Sequence, residues 1–308
     1  MTLRIGYYPG CSGAGTSTEY EQSTRAVLRK LGVELHEVPD WSCCGSTPAH
    51  TVSHTLSAAL SARNLELAGR AGFDLVATPC PSCLANLRTA GHKMENADFR
   101  AEVSRLVGAD CADMADARST VEVLARMVGP KAVAQRVTRP LKGLKVVCYY
   151  GCLMTRPPEV MDFDDPENPT AMDELLAACG AEVLPFAYKV ECCGAAAGTV
   201  RGDITAELSG RILDAAVAAG ADAVVAACPL CQMNLDLRRG QINKARGTVH
   251  DLPVFYFTQL MGLALGLSSS DLGIKKLAVD PNPVLRRAFA APKEDAAGKK
   301  SKEGRECA

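Results

Sequence analysis

One cysteine pattern occurs twice in this chain, and it constrains the fold more than any other feature. The first copy is Cys11, then Cys43-Cys44, then Cys80-Pro81-Ser82-Cys83. The second is Cys152, then Cys192-Cys193, then Cys228-Pro229-Leu230-Cys231. The neighbours repeat as well. Gly10 and Gly151 precede the single cysteines, and Gly45 and Gly194 follow the pairs. Asn86-Leu87 and Asn234-Leu235 follow the last cysteines at the same distance, and a tyrosine pair opens each copy (Tyr7-Tyr8, Tyr149-Tyr150). Such a repeat means that one structural unit is built twice.

Each copy reads as alternating strand and helix. Leu3 to Tyr8 is a short apolar run, as a buried strand is. Thr18-Glu19-Tyr20-Glu21 has the form of a capping box opening a helix that ends at Gly32. Val33 to Val38 alternates like a strand. A helix over Leu56 to Ala71 leads through Gly72 into a strand at Leu75 to Thr78, which delivers Cys80. The second copy gives strands at Lys145 to Tyr149, Glu182 to Phe186 and Ala223 to Ala227. Its helices lie at Thr170 to Cys179 and Thr205 to Ala219. The predicted fold is α/β: two duplicated lobes with parallel-rich sheets and cysteine-bearing loops at strand ends, where open sheets of this class place their sites.

At roughly 100–200 residues per domain, 308 residues allow two domains. The expected division is 1–140 for the first lobe with a linker region over Asp98 to Leu141, 141–285 for the second lobe, and 286–308 for a tail. That tail is rich in Lys, Glu, Gly and Ala from about Pro292 and reads as disordered.

Thirty-four basic against 35 acidic residues leave no field to hold a nucleic-acid backbone, and one Trp offers little base stacking. No stretch is apolar for the roughly 20 residues of a membrane span. The first residues run straight into a strand pattern without a signal-peptide core, so a cytoplasmic location is expected. In a reducing compartment 14 cysteines read as metal ligands or redox groups in place of disulfides.

Five cysteines per copy are one too many for a tetrahedral zinc site, and iron–sulfur clusters use thiolates from scattered loops. A zinc site with spare cysteines, or a thioredoxin-type dithiol at one CxxC, stays as an alternative. Gly10, Gly13 and Gly15 have the wrong spacing for a dinucleotide fingerprint, and there is no Walker A sequence. Cys148 and Cys179 align with Tyr7 and Leu31 and read as core positions. Cys111 and Cys307 have no counterpart.

At these residues the chain resembles the CCG-domain family, and within it the B-subunit group of the heterodisulfide reductases, of non-methanogen type. The resemblance runs from Tyr7 to about Asp280. It rests on Tyr8-Pro9-Gly10-Cys11, Trp41-Ser42-Cys43-Cys44-Gly45, Pro79-Cys80-Pro81-Ser82-Cys83, Tyr149-Tyr150-Gly151-Cys152 and Tyr188-Lys189-Val190-Glu191-Cys192-Cys193-Gly194. It implies two noncubane [4Fe–4S] clusters, one held by Cys11, Cys43, Cys44, Cys80 and Cys83, the other by Cys152, Cys192, Cys193, Cys228 and Cys231. It implies a disulfide substrate cleaved between them. It also implies two partners, a C-type iron–sulfur relay protein and an A-type flavoprotein.

Three readings of function follow. The first is a catalytic subunit that reduces or forms a disulfide. The second is an electron-transfer subunit of another oxidoreductase, of the succinate, fumarate, lactate or glycolate type. The third is a zinc-bearing scaffold. An open cleft touching both cysteine sets favours the first. For the first reading, Lys189 is a candidate to supply a proton or stabilise charge, with a solvated surface lysine as the plain alternative. His50 and His54 follow the first cysteine pair at helical spacing, and His54 is a candidate catalytic residue, with simple packing as the alternative. The second copy carries an insert from Arg156 to Pro169, rich in Pro and acidic residues. It is expected to be a stiff loop that walls a cleft or docks a partner, with Arg156 binding an anion. The plain alternative is a surface loop in which Arg156 pairs with Asp162 or Asp164.

Overall fold

In the computed structural model, residues 3–289 are described. They form two four-stranded, all-parallel sheets with the same strand order. The first contains β1 (Leu3–Tyr7), β2 (Val33–Glu37), β3 (Leu75–Thr78) and β4 (Asp116–Ser119), ordered β2-β1-β3-β4. The second contains β5 (Lys145–Tyr149), β6 (Glu182–Val183), β7 (Ala223–Ala226) and β8 (Val254–Tyr256), ordered β6-β5-β7-β8. Parallel neighbours need crossover connections. The helices Thr18–Lys30, His54–Arg70 and Pro81–Lys93 supply them in the first lobe, and Ala171–Ala178 and Gly202–Ala218 do so in the second.

The duplication therefore extends to topology, and each sheet ends on a strand that the sequence pattern does not reveal. The segment expected to be a linker over 98–141 contains the Ala97–Val107 helix and β4, which pairs with β3 from Leu75↔Asp116 to Thr78↔Ser119. Its Asp-Ala-Arg-Ser sequence has no strand-like run of apolar residues. β8 is three residues long. β6 is shorter than expected, with only Glu182 and Val183 paired, because Pro185 cannot donate to a ladder. The helix at Thr18 begins without the expected capping box. Ser17 is its N-cap with no side-chain cap bond, and Glu21 turns to the Tyr7 hydroxyl and to Arg25. Residues 286–288, assigned to the tail, belong to a helix, Asn282–Ala288. The tail from Pro292, including Cys307, lies outside the described residues.

Each lobe lends a helix to the other. The Phe257–Ala264 helix, which follows β8, packs on the first-lobe helix Thr18–Lys30. Tyr20 stacks on Tyr256 at 4.1 Å between ring centroids, and Ser23 Oγ lies 2.7 Å from Thr258 Oγ1. In the opposite direction, the Val123–Val128 stretch after β4 packs on the Ala171–Ala178 helix. One apolar core thus runs from Ile5, Val27 and Leu124 to Val146, Met172 and Phe255. Burying both lobes in one core fixes the relation between the two cysteine sets, since close-packed interiors resist sliding.

The insert also crosses between the lobes. Its Pro158–Met161 helix packs on the first-lobe helix Pro81–Lys93, and Met161 is fully buried in the first-lobe core beside Tyr8 and Cys80. Arg126 of the first lobe lies over the Phe163 ring and donates to the Asp162 carbonyl at 3.3 Å.

Candidate iron–sulfur centres

The strand ends deliver the cysteines. β1 and β5 end at Tyr7 and Tyr149, just before Gly10-Cys11 and Gly151-Cys152. β3 and β7 end at Thr78 and Ala226, just before Cys80 and Cys228. Cys80 caps the Pro81–Lys93 helix and Cys83 lies in its first turn. Cys228 and Cys231 take the same places at Pro229–Gln232. Proline suits the first helical position, where its missing N–H is not needed. Within each lobe the five cysteines lie in one region, with one close pair of sulfurs. Cys44 and Cys83 sulfurs are 3.4 Å apart, and Cys193 and Cys231 sulfurs 3.6 Å apart. Charge on Cys43, Cys44 and Cys80 is felt at Cys11, and charge on Cys192, Cys193 and Cys228 at Cys152.

Two glycines make this approach possible. A Cβ on Gly10 would sit 3.1 Å from Cys83 Sγ, and one on Gly151 3.0 Å from Cys231 Sγ. Both residues have positive φ, +66° and +74°, which glycine adopts freely.

Crowding separates the thiols into proton donors and acceptors. Cys192 is drawn down to about 6, chiefly by a hydrogen bond from Cys152, with help from the Gly194 N–H. Cys193 is drawn down to about 7, chiefly by Cys231, then by the Ala195 N–H and Asn234. The donors Cys152 and Cys231 move up in turn. In the first lobe Cys83 lowers Cys44. Cys80 is lowered most by Cys228, a cysteine of the other lobe, so the two sets meet at the lobe boundary. Thiolate is the form that binds metal.

The donor set fits iron–sulfur clusters. It is all sulfur, and backbone N–H groups point at it: Gly45 at Cys43 (3.4 Å), Gly194 at Cys192 (3.3 Å) and Ala195 at Cys193 (3.4 Å). Among the described residues no three such ligands close on a single point as one metal ion needs. A polynuclear cluster takes its thiolates at separate irons and does not require that.

The paired cysteines are held by matched partners. Ser61 donates to the Cys44 carbonyl at 2.8 Å and Ser209 to the Cys193 carbonyl at 2.8 Å. Asn86 and Asn234 donate to the same two carbonyls. The asparagines are legible in the repeat. The serines occupy equivalent places in their helices but carry no motif of their own.

The other expected site residues divide. His54 lines a cavity of about 300 Å3, together with His50, Lys93, Ser46 and Ser82 of the first lobe and Leu153 and Pro157 of the second. Ser46 follows the first cysteine pair, Ser82 lies between Cys80 and Cys83, and Leu153 follows Cys152. The two imidazoles meet edge to face at 4.4 Å. Cys11, Cys43 and Cys192 are exposed.

Lys189 is elsewhere. It is not a surface lysine, being 5 % exposed, and it does not line this cavity. Its ammonium donates to Asp173 and to the Pro169 carbonyl, both at 2.7 Å. Its own carbonyl accepts from Tyr150 N and Gly151 N, so it braces the turn before Cys152. Arg156 is committed to its own loop, donating to the Pro166 carbonyl at 2.9 Å and pairing with Glu167, not with Asp162 or Asp164. Its neighbour Pro157 is the residue that walls the cavity. Cys148 and Cys179 are fully buried in the core, and burial pushes the Cys179 thiol up to about 12.

Comparison with known proteins agrees with this geometry. The cysteine-rich domain family CCG matches twice, over residues 5–88 and 146–236. The chain is 31 % identical over 282 residues to the 8-methylmenaquinol:fumarate reductase membrane anchor subunit of Wolinella succinogenes, covering 91 % of this chain and 98 % of that one. It is 32 % identical over 296 residues to the B subunit of the ferredoxin:CoB-CoM heterodisulfide reductase of Methanosarcina mazei, covering 93 % and 97 %. A crystal structure of a hypothetical protein from Helicobacter pylori shares the fold, with TM-score 0.73 at 13 % identity; 91 % of this chain spans about half (52 %) of that one. Among the described residues no helix is long and apolar enough to cross a membrane. Two matched domains, duplicated cysteine sets and identity over nearly the whole chain place this protein in the CCG cysteine-rich domain family, alongside the heterodisulfide reductase B subunits.

Proposed function

We propose that the chain is the catalytic subunit of a heterodisulfide-reductase-like complex, which reduces a disulfide or forms one in reverse. Two noncubane [4Fe–4S] clusters, one on each set of five cysteines, supply the electrons when bound. The observation that carries this reading is the cavity: no cysteine lines it, but Ser46 and Ser82 beside the first-lobe cysteines and Leu153 beside Cys152 of the second lobe meet on its wall. An electron relay needs no such space. Cleaving a disulfide takes two electrons and two protons and leaves two thiols. His54, with His50 against it, can pass one of those protons at the cavity wall, since an imidazole nitrogen can both accept and donate. Lys93 offers a positive charge to an anionic group of the substrate. Lys189 and Arg156 act behind the site, the first on the turn before Cys152 and the second on the loop that carries Pro157. An iron–sulfur relay protein and a flavoprotein complete the electron supply.

The relative named as a fumarate reductase subunit supports a second reading, in which this chain passes electrons within a quinol-linked complex. Mixing the dithionite-reduced protein with a disulfide under argon separates the two. Release of about two thiols per two electrons consumed supports disulfide chemistry. Retention of the reduced spectrum with no thiol release supports the relay.

A further inference from the structure

Tyr8 and Tyr149 occupy equivalent places, one immediately after β1 and the other at the end of β5. Both are buried. The Tyr8 hydroxyl donates to the Ser42 carbonyl at 2.7 Å, and the Tyr149 hydroxyl to the Glu191 carbonyl at 2.6 Å. Each acceptor is the residue directly before a cysteine pair. Each phenol also faces its own cysteine set. A Cβ on Gly10 would meet Cys83 Sγ at 3.1 Å and the Tyr8 ring at 3.5 Å, and one on Gly151 would meet Cys231 Sγ at 3.0 Å and the Tyr149 hydroxyl at 4.0 Å, so each phenol flanks its own set.

We propose that Tyr8 and Tyr149 are positioning residues, each of which pins the loop bearing a cysteine pair and so tunes the cluster of its own lobe alone. This rests on the iron–sulfur reading above. The loops between Trp41 and Gly45 and between Glu191 and Gly194 have no helix or ladder to hold them. Partners behind the ligands therefore set ligand orientation, and such partners tune a metal centre as the ligands themselves do.

The two lobes are not equally tethered. The Ser42 carbonyl accepts a second bond from Asn64 Nδ2 at 3.0 Å, and Asn64 Oδ1 accepts from Ser42 N at 2.8 Å. Asn64 lies three residues after Ser61, and the residue three after the matching Ser209 is Ile212, which has no polar group to donate. Removing the hydroxyl therefore frees the second-lobe loop more than the first.

The test uses Tyr8→Phe and Tyr149→Phe in the intact, iron-loaded protein. Their iron content, paramagnetic spectra and midpoint potentials are measured, with each signal assigned to a lobe by cysteine variants. Tyr149→Phe is expected to shift the potential and spectrum of the second-lobe cluster and leave the first unchanged. Tyr8→Phe is expected to give a smaller shift, confined to the first lobe, and Asn64→Leu added to Tyr8→Phe should enlarge it. Iron loss confined to the variant's own lobe also supports the pinning role. Wild-type potentials in both single variants, joint movement of both signals, iron loss from both lobes, or no enlargement with Asn64→Leu would overturn it. Failure of the iron–sulfur reading is distinct, because the wild-type protein itself would then give no cluster signal.

Discussion

Behind the cysteines the two lobes are close copies, and in front of them they differ. Ser61 and Ser209, Asn86 and Asn234, and Gly10 and Gly151 play the same parts beside their cysteines. On the cavity side, His50, His54 and Lys93 stand in the first lobe. Counting from the cysteines, the second lobe has Thr199, Asp203 and Gln241 at those places. The apparatus that holds a cluster tolerates little change, because each carbonyl and each close approach is fixed by sulfur geometry. The face that lines the cavity is free of that constraint. None of Thr199, Asp203 and Gln241 lines the cavity, so its wall is built mainly by the first lobe, and two like cysteine sets stand behind it.

The largest effect that can break this comparison is loss of a ligand on one side. Cys193→Ala should remove about half of the iron, since one of two four-iron sites is lost, and leave the first-lobe signal intact. Cys44→Ala should give the converse. Iron loss from both lobes in either variant would show that the sets are not independent, and the meeting of Cys80 with Cys228 marks where they would be joined.

The next effect tests the unlike wall. His54→Gln with Lys93→Gln should lower disulfide turnover by about 100-fold, the scale of a lost proton donor, with iron content unchanged. Asp203→Asn with Gln241→Glu, at the corresponding positions, should leave turnover near wild type. Equal losses in both pairs would mean that the wall is symmetric in function.

Smaller effects sharpen the assignment of the insert and the core. Arg156→Ala removes an exposed pair with Glu167, worth about 0–1 kcal/mol. Turnover should fall only a few-fold, through looser placement of Pro157, and assembly with partner subunits should be unchanged. A complete loss of turnover would return Arg156 to direct contact with substrate. Cys179→Ala should keep all the iron and cost about 1 kcal/mol by thermal denaturation, since Cys179 is a packed core residue. Iron loss there would misplace a ligand in the repeat.

Much of this is legible in the sequence because the duplication gives two readings of each element. The strands β1, β3, β5 and β7 are apolar runs ending at cysteines, and their boundaries follow from that. β4 is not legible because Asp116-Ala117-Arg118-Ser119 is no apolar run, and β8 because its three apolar residues run straight into the apolar Phe257–Ala264 helix. His54 is marked in the sequence by standing four residues after His50, but the two lie in separate helices, Pro48–Val52 and His54–Arg70, because Ser53 is extended and caps the second helix through its hydroxyl. The burial of Lys189 is not, because only tertiary structure brings Asp173 and the Pro169 carbonyl to its ammonium. The sequence places Arg156 on the right loop but not with its partner, since a carboxylate at Glu167 and one at Asp164 look alike in sequence. The crossing of the insert to the first-lobe core has no sequence signal beyond its apolar Val160, Met161 and Phe163.

The central claim is that each lobe holds one cluster on its own five cysteines. Counting iron, acid-labile sulfide and zinc in anaerobically prepared protein tests it most directly. The account predicts about eight iron atoms and about eight sulfides per chain. About four of each, or zinc in place of iron, would contradict it.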